Sequence, residues 1–321
     1  MSPELVQRAF QRRAGLFASG QTTCARVVHD AADGAPDVTV DWFDGVAVMS
    51  LYRSFTPDEE QQRVQAVATA LTPRAIYLKR RPREARVVAT TERDVLSPPL
   101  PVHGEPVDHV DVRESGLLFR IRPGQGLAVG LYLDMRETRM WLRQRVHGRT
   151  VLNCFAYTCA FGVYAHAGGA RRAVNLDLSR RVLEQGEENL ALNGVPPDRR
   201  DHIAGDVFDW LGRFTKKGET FDVIVLDPPG FSTSRTGAFS AKRDYAKLVE
   251  RAAPVLSPGG TLLACCNVAD LEGPRFEAMV HKGLASAGRS GQVIERLHPS
   301  EVDFPPHPSS PTDLKVVALS C

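Results

Sequence analysis

Five short apolar runs, separated by segments of helical period, fill the second half of the chain and restrict what it can become. "RTVLNCFAY" (149–157), "RAVNLDLS" (172–179), "DHIAG" (201–205), "FDVIVLDPP" (221–229) and "TLLACCN" (261–267) have the length and branching of buried strands. Between them lie "AFGVYAHAGG", closed by Gly168-Gly169, and "SRRVLEQGEENLALNG", with Ser179 as its N-cap and Asn193-Gly194 at its stop. A short helix after "AGD" and a longer one in "AKRDYAKLVERAAPVLSPGG" complete the series. Strands alternating with helices specify βαβ units and a mainly parallel sheet covered on both faces, so the fold class is α/β. "GQVIERLHPS" and "DLKVVALSC", separated by a proline-rich stretch, are expected to close the sheet edge as an antiparallel pair.

The first half has a different texture. "ARVVHDAADGAPDVTVDWFDGVAVMSLY" alternates with period two and carries Asp-Gly turns at 33–34 and 44–45, the pattern of a β-meander. "PDEEQQRVQAVATALTP" is a helix between prolines and "AIYLKRR" a strand. "GLLFRIRPGQGLAVGLYLD" is expected to be a hairpin leading to the helix "RETRMWLRQRV". These patterns divide the chain into an N-terminal helix over 1–20, a smaller α+β domain over 21–125 and an α/β domain over 126–321. The 321 residues, 43% hydrophobic, suffice for two cores. No stretch reaches the roughly 18 uninterrupted apolar residues of a membrane span, and no membrane partner is expected. Six cysteines without CxxC spacing, two of them vicinal at 265–266, suit a reducing cytoplasm, and nine histidines without HxxxH or HExxH spacing predict no metal site. A net charge of only +2 leaves any affinity for nucleic acid to local basic patches.

A parallel sheet binds its ligand outside the C-terminal ends of its strands, where the strand order reverses. The first run opens there into "NCFAYTCAFG", small residues whose backbone can approach a ligand. The second ends in Asp177, placed to accept hydrogen bonds from ribose hydroxyls. The third ends in Asp206, placed for the exocyclic amine of adenine. A dinucleotide would need a GxGxxG array for its pyrophosphate, whereas this loop carries one late glycine, Gly162. The cofactor expected is therefore S-adenosyl-L-methionine. The fourth run drives into Asp227-Pro228-Pro229, where two fixed φ angles and two missing donors forbid further strand or helix. A stiff projecting loop follows, with Gly230 allowing close approach and Phe231 offering a face on which a nucleobase can stack.

"FAYTCAF", "VNLDLSRRVLEQGEENLALNG", "DVIVLDPPGFSTS" and "LSPGGTLLACCN" resemble the class I S-adenosylmethionine-dependent methyltransferases that modify large-subunit ribosomal RNA. "GLYLDMRETR" resembles the GxxLDxRxxR segment upstream of their catalytic domain, and the likeness spans roughly 24–321. It implies a Rossmann-like methyltransferase domain with a mostly parallel seven-stranded sheet, ribosomal RNA as partner, and a β-rich RNA-substrate domain before it. It also implies cofactor contacts at Asp134, Arg136, Asn153, Phe155, Tyr157, Thr158, Asp177, Asp206 and Asp227. A small N-terminal RNA-binding module of the PUA type, common in the family, is not expected here. The family glycine after "FAYT" is Cys159, a thiol expected to add bulk near the cofactor. Members that methylate cytosine C5 attack C6 with a cysteine after the fifth strand, because the ring carbon is otherwise inert. Counted from Gly259-Gly260, that position is Asn267, with Cys266 one place earlier and on the opposite face of a strand. A branch that methylates guanine N7 carries Asn there and shares "DPPGFSTS" and "KRDY". Catalytic candidates are thus Asp227, Pro228, Pro229, Phe231, Cys266 and Asn267, with cytosine C5 and guanine N7 both open.

Three basic groups are candidate phosphate contacts: Lys79–Arg86, the trio Arg8, Arg12 and Arg13, and Arg235, Lys242 and Arg243 beside the diproline loop. Two rival functions stand: a degenerate RNA-binding protein of the same fold, which Cys159 and Asn267 would permit, and a small-molecule methyltransferase, which would need neither the upstream β domain nor the basic loop.

Overall fold

The computed structural model describes residues 1–82, 91–196, 198–234, 237–307 and 313–321. The chain forms two compact units, one of Met1–Arg136 with Ser300–Pro311, the other of Glu137–Pro299 with Thr312–Cys321.

In the first unit helices α1 (Pro3–Arg12) and α2 (Ala14–Phe17) precede a five-stranded sheet of β1 (Cys24–His29), β2 (Val38–Phe43), β3 (Val46–Leu51), β4 (Ala75–Arg80) and β5 (His103–Gly104), in that order. Strands β1 to β3 are the antiparallel meander read from the sequence. Asp44-Gly45, both at positive φ, make the two-residue turn between β2 and β3. Asp30–Asp33 is instead a turn of 3-10 helix ended by Gly34. Helix α3 (Pro57–Leu71) crosses over so that β4 runs parallel to β3. Its start is fixed by a capping box, with Thr56 accepting from the Glu59 N–H and Glu59 from the Thr56 N–H. A short helix α4 (Arg93–Leu96) follows. The hairpin expected over 116–134 lies upstream. Strands β6 (Val110–Glu114) and β7 (Leu117–Ile121) pair through the Ser115-Gly116 turn, and 122–132 holds no strand. Apolar alternation continued past Ile121, while the two-residue turn that sets the hairpin is only Ser-Gly.

Helix α5 (Arg136–Arg143) begins on the last residue of the first unit's main segment and continues in the second unit. Its sheet has the order β10-β9-β8-β11-β14-β16-β15, with β8 (Thr150–Cys154), β9 (Arg172–Asp177), β10 (His202–Ala204), β11 (Phe221–Leu226), β14 (Leu256–Cys266), β15 (Gln292–Leu297) and β16 (Lys315–Ser320). The first five strands in the chain are parallel, and β16 inserts antiparallel between β14 and β15. Helices α6 (Ala160–Ala167), α7 (Arg180–Leu192), α8 (Val207–Lys217), α9 (Ala241–Ala252) and α10 (Gly273–Ser286) connect them. A core of Leu152, Leu176, Leu226, Ala264 and Val317 packs under Leu211 of α8, Leu248 of α9 and Val280 of α10. On the opposite face Gly162 of α6 lets that helix approach Asn175, whose side-chain oxygen would lie 2.4 Å from an added Cβ. Between β11 and α9 a small hairpin, β12 (Phe231–Ser234) with β13 (Gly237–Ser240), projects beyond the sheet. Among the described residues no helix is long and apolar enough to cross a membrane.

Candidate active site

The chain leaves β8 for β9 on one side and returns to β11 on the other, so the crevice at the switch point lies beyond Cys154 and Leu226. The loop from β8 to α6 is held in an unusual form: Phe155, Tyr157 and Cys159 all have left-handed backbones, with φ of 61°, 49° and 59°. Such residues cost about 1–3 kcal/mol each and persist only when their surroundings over-determine them. Here the Ala156 N–H donates to the Leu176 carbonyl (3.0 Å), the Tyr157 N–H to Asp177 Oδ2 (2.9 Å), and Asn189 Nδ2 to the Thr158 carbonyl (3.0 Å). The loop is therefore tied to the end of β9 and to α7. Cys159 is buried with Ala156 and Leu183, and its Sγ fills the notch above Gly186, so helix packing takes up the thiol's bulk.

Asp177 accepts a second hydrogen bond from the Ser179 N–H (2.9 Å), and burial pushes its carboxyl above the usual range although backbone N–H groups pull it down. Ser179 holds the N-cap position, but its side chain makes no cap hydrogen bond. Asn153 and Thr158 are buried; Asn153 Nδ2 donates to Asn175 Oδ1 (2.9 Å) across β8 and β9. Phe155 and Tyr157 are half-buried at the crevice. Asp206 caps α8, accepting from the N–H groups of Phe208 (2.9 Å) and Asp209 (3.3 Å). Asp134 and Arg136 lie in the first unit. Asp134 is half-buried on a 3-10 turn. Arg136 is buried, 2.9 Å from Asp303 and donating to the Cys24 carbonyl (3.0 Å).

At the end of β11, Asp227 is half-buried, Pro228 buried and Pro229 exposed, all outside regular structure. Phe231, at the start of β12, is 63% exposed, and that free face is what stacking requires. Tyr245 of α9 is fully buried beneath this loop. Its hydroxyl lies 3.0 Å from the Leu226 carbonyl and 2.9 Å from the Cys265 carbonyl, joining the ends of β11 and β14. Cys266 is buried in the core with Leu226 and Ala264, and burial pushes its thiol up. Asn267, the first residue past β14, is exposed. Lys315, opposite Cys266 on β16, donates to the Val268 carbonyl (2.7 Å) and so braces the strand exit. Lys315 and Asn189 escaped the sequence analysis, and Tyr245 entered it only as the last residue of "KRDY". A buried Asn on the apolar side of α7 was the one visible signal among them.

The basic groups are differently used. Lys79 is fully buried, with burial pushing its ammonium down to about 8, and donates to Ser97 Oγ (2.8 Å) and the Pro123 carbonyl (2.7 Å). Arg80 is paired with Glu60, and Arg83–Arg86 lie outside the described residues. Arg13 is buried against Asp33, which Arg12 also meets. Lys242 pairs with Asp270, Arg243 stands 3.9 Å from Asp244, and Arg235 lies outside the described residues.

A strained, glycine-poor loop facing a half-buried acid at the switch point suits a nucleoside ligand without a diphosphate. The profile of S-adenosylmethionine-dependent methyltransferases matches residues 25–316. The chain belongs to this family. It is 34% identical over 301 residues to ribosomal RNA large subunit methyltransferase I of Aeromonas salmonicida (strain A449), covering 92% of this chain and 73% of that one. It is 34% identical over 290 residues to the ribosomal RNA large subunit methyltransferase of Deinococcus radiodurans, covering 88% and 70%. The solved structure of SMU.776 complexed with SAH superposes with a TM-score of 0.87 at 26% identity, over 100% of this chain and 82% of that one. The cofactor of this methyltransferase is S-adenosylmethionine.

Proposed function

We propose that this methyltransferase modifies a nucleobase of large-subunit ribosomal RNA, at an atom that already bears a lone pair, guanine N7 being the class that fits. The relatives from Aeromonas and Deinococcus, which act on ribosomal RNA, support the substrate. The exit of β14 carries the choice of atom: Asn267 is exposed there, while the Cys266 thiol is buried and its ionisation suppressed. A C5 reaction needs a thiolate to add to the ring, whereas a lone-pair nitrogen needs only alignment.

When bound, S-adenosylmethionine supplies an electrophilic methyl group. Asp177 would hold its ribose hydroxyls, Asp206 its adenine amine, and the backbone of Phe155, Tyr157 and Thr158 the wall beside them. Asp227 would orient the incoming base or the charged end of the cofactor. Pro228 and Pro229 stiffen the ledge, Phe231 stacks on the base, and Asn267 offers an amide to its edge. Extruding a paired base costs a few kcal/mol, and the stacking face offsets part of it. The first unit is assigned to engaging the RNA, as the family resemblance implies.

Transfer of a labelled methyl group to large-subunit ribosomal RNA tests this. Cys266→Ala should keep activity within about threefold, and Asn267→Ala should lose about tenfold or more. Loss of transfer in Cys266→Ala, with a covalent adduct between the wild-type protein and 5-fluorocytidine RNA, would point to cytosine C5 instead.

A further inference from the structure

A cleft of about 600 Å³ opens among α8, α9 and the β12–β13 hairpin. Its upper end is formed by Phe155 and Asp206, both at the candidate cofactor site. From there it descends between the two helices. Arg213 and Lys216 line it from α8, and Lys247 and Arg251 from α9. Spacings of three and four put each pair on one helical face. All four cations are exposed, and among the described residues none is held in an ion pair. Arg213 only lies over the Trp210 ring. The three acids of the cleft sit nearer the helix starts. Asp206 is committed to two backbone N–H groups, Asp244 accepts from the Ser240 N–H (2.8 Å), and Asp209 belongs to the first turn of α8. The deeper cleft is therefore positive on both walls. Phe239 is buried at the upper end, with ring centroids 6.3 Å from Phe155 and 5.9 Å from Phe208, and anchors the hairpin to the core.

Cations on facing walls repel one another, and an unpaired set in a concave surface concentrates anions. Unpaired cationic walls on both sides of a cleft suit the phosphodiester backbone of a single nucleic-acid strand. We propose that this cleft carries the phosphodiester backbone of the RNA strand flanking the target nucleotide. The inference rests on ribosomal RNA being the substrate. It adds an interface that the basic runs legible in the sequence did not reveal.

The test uses the full chain, a large-subunit ribosomal RNA transcript and binding measured across a series of salt concentrations. In the quadruple variant Arg213→Gln, Lys216→Gln, Lys247→Gln, Arg251→Gln, the slope of log affinity against log salt should shallow by about 2–3, the loss of four single-strand phosphate contacts. S-adenosylmethionine affinity and melting temperature should be unchanged. A control carrying Arg180→Gln, Arg181→Gln, Arg199→Gln and Arg200→Gln removes the same charge elsewhere and should shift the slope by less than about 1. Equal shifts in both variants, or none in the first, would overturn the cleft assignment while leaving RNA methylation standing. A wild-type protein that neither binds nor methylates the transcript would overturn both.

Discussion

Cys159 holds a backbone conformation that glycine adopts without strain, and its thiol fills the space left by a glycine on the neighbouring helix. A Cβ at position 186 would stand 2.2 Å from Sγ and 3.1 Å from the Thr158 carbonyl carbon. Gly186→Ala should therefore destabilise the protein by about 1–3 kcal/mol, even though alanine favours helix. Cys159→Gly should rescue much of that loss, with a coupling of about 1–3 kcal/mol in a urea-unfolding double-mutant cycle; additive effects would refute the packing account. The sequence displayed Cys159 as a departure, but its partner was invisible, because a glycine inside a helix gives no sign of what it faces. Asp177 and Asp206 were legible as strand-end acids. That Asp206 caps α8 while Asp177 clamps the Tyr157 and Ser179 N–H groups depends on backbone directions that residue spacing does not carry. Asn153, expected as a cofactor contact from the family resemblance, also donates to Asn175. Only the register of β8 on β9 pairs it with Asn175.

At the scale of elements, the diproline loop is positioned from below. Tyr245 packs edge-on against Phe276, with centroids 4.8 Å apart, and its hydroxyl lies between the last carbonyl of β11, on Leu226, and the next-to-last of β14, on Cys265. Tyr245→Phe keeps the ring and removes the one O–H that the two buried carbonyl oxygens share. It should cost about 1–3 kcal/mol of stability. It should also lower the methyl-transfer rate about tenfold with little change in S-adenosylmethionine affinity, measured by single-turnover assay and titration. A rate equal to wild type would show that the strand ends are held without it. The stiff exit at Pro228-Pro229 was legible from proline chemistry, whereas the hairpin after it was not. Its strands are four residues each, and "FSTS" and "GAFS" carry too few apolar positions to show a period.

Over the whole molecule, the parallel sheet, its antiparallel closing strands and a separate β-rich N-terminal part were legible because period and connection length dictate them. The insertion of β16 between β14 and β15 was not, since order within a sheet depends on contacts far apart in sequence. The topology brings a carboxylate to the switch point at some cost. Burial raises the Asp177 pKa above its unfolded value, so the fold holds this proton more tightly than the unfolded chain does. Stability from this group is present below the unfolded pKa and falls as pH rises through the folded one. Asp177→Asn keeps one acceptor oxygen and turns an amide NH2 toward the Tyr157 or the Ser179 N–H, so it should cost about 1–3 kcal/mol of stability while removing the ribose acceptor. Isothermal titration of wild type and Asp177→Asn with S-adenosylmethionine is the most direct test. The structure predicts saturable binding to one site in the wild type, weakened about tenfold or more in the folded variant. Equal affinity in the two proteins would contradict the placement of the methyl donor at the end of β9.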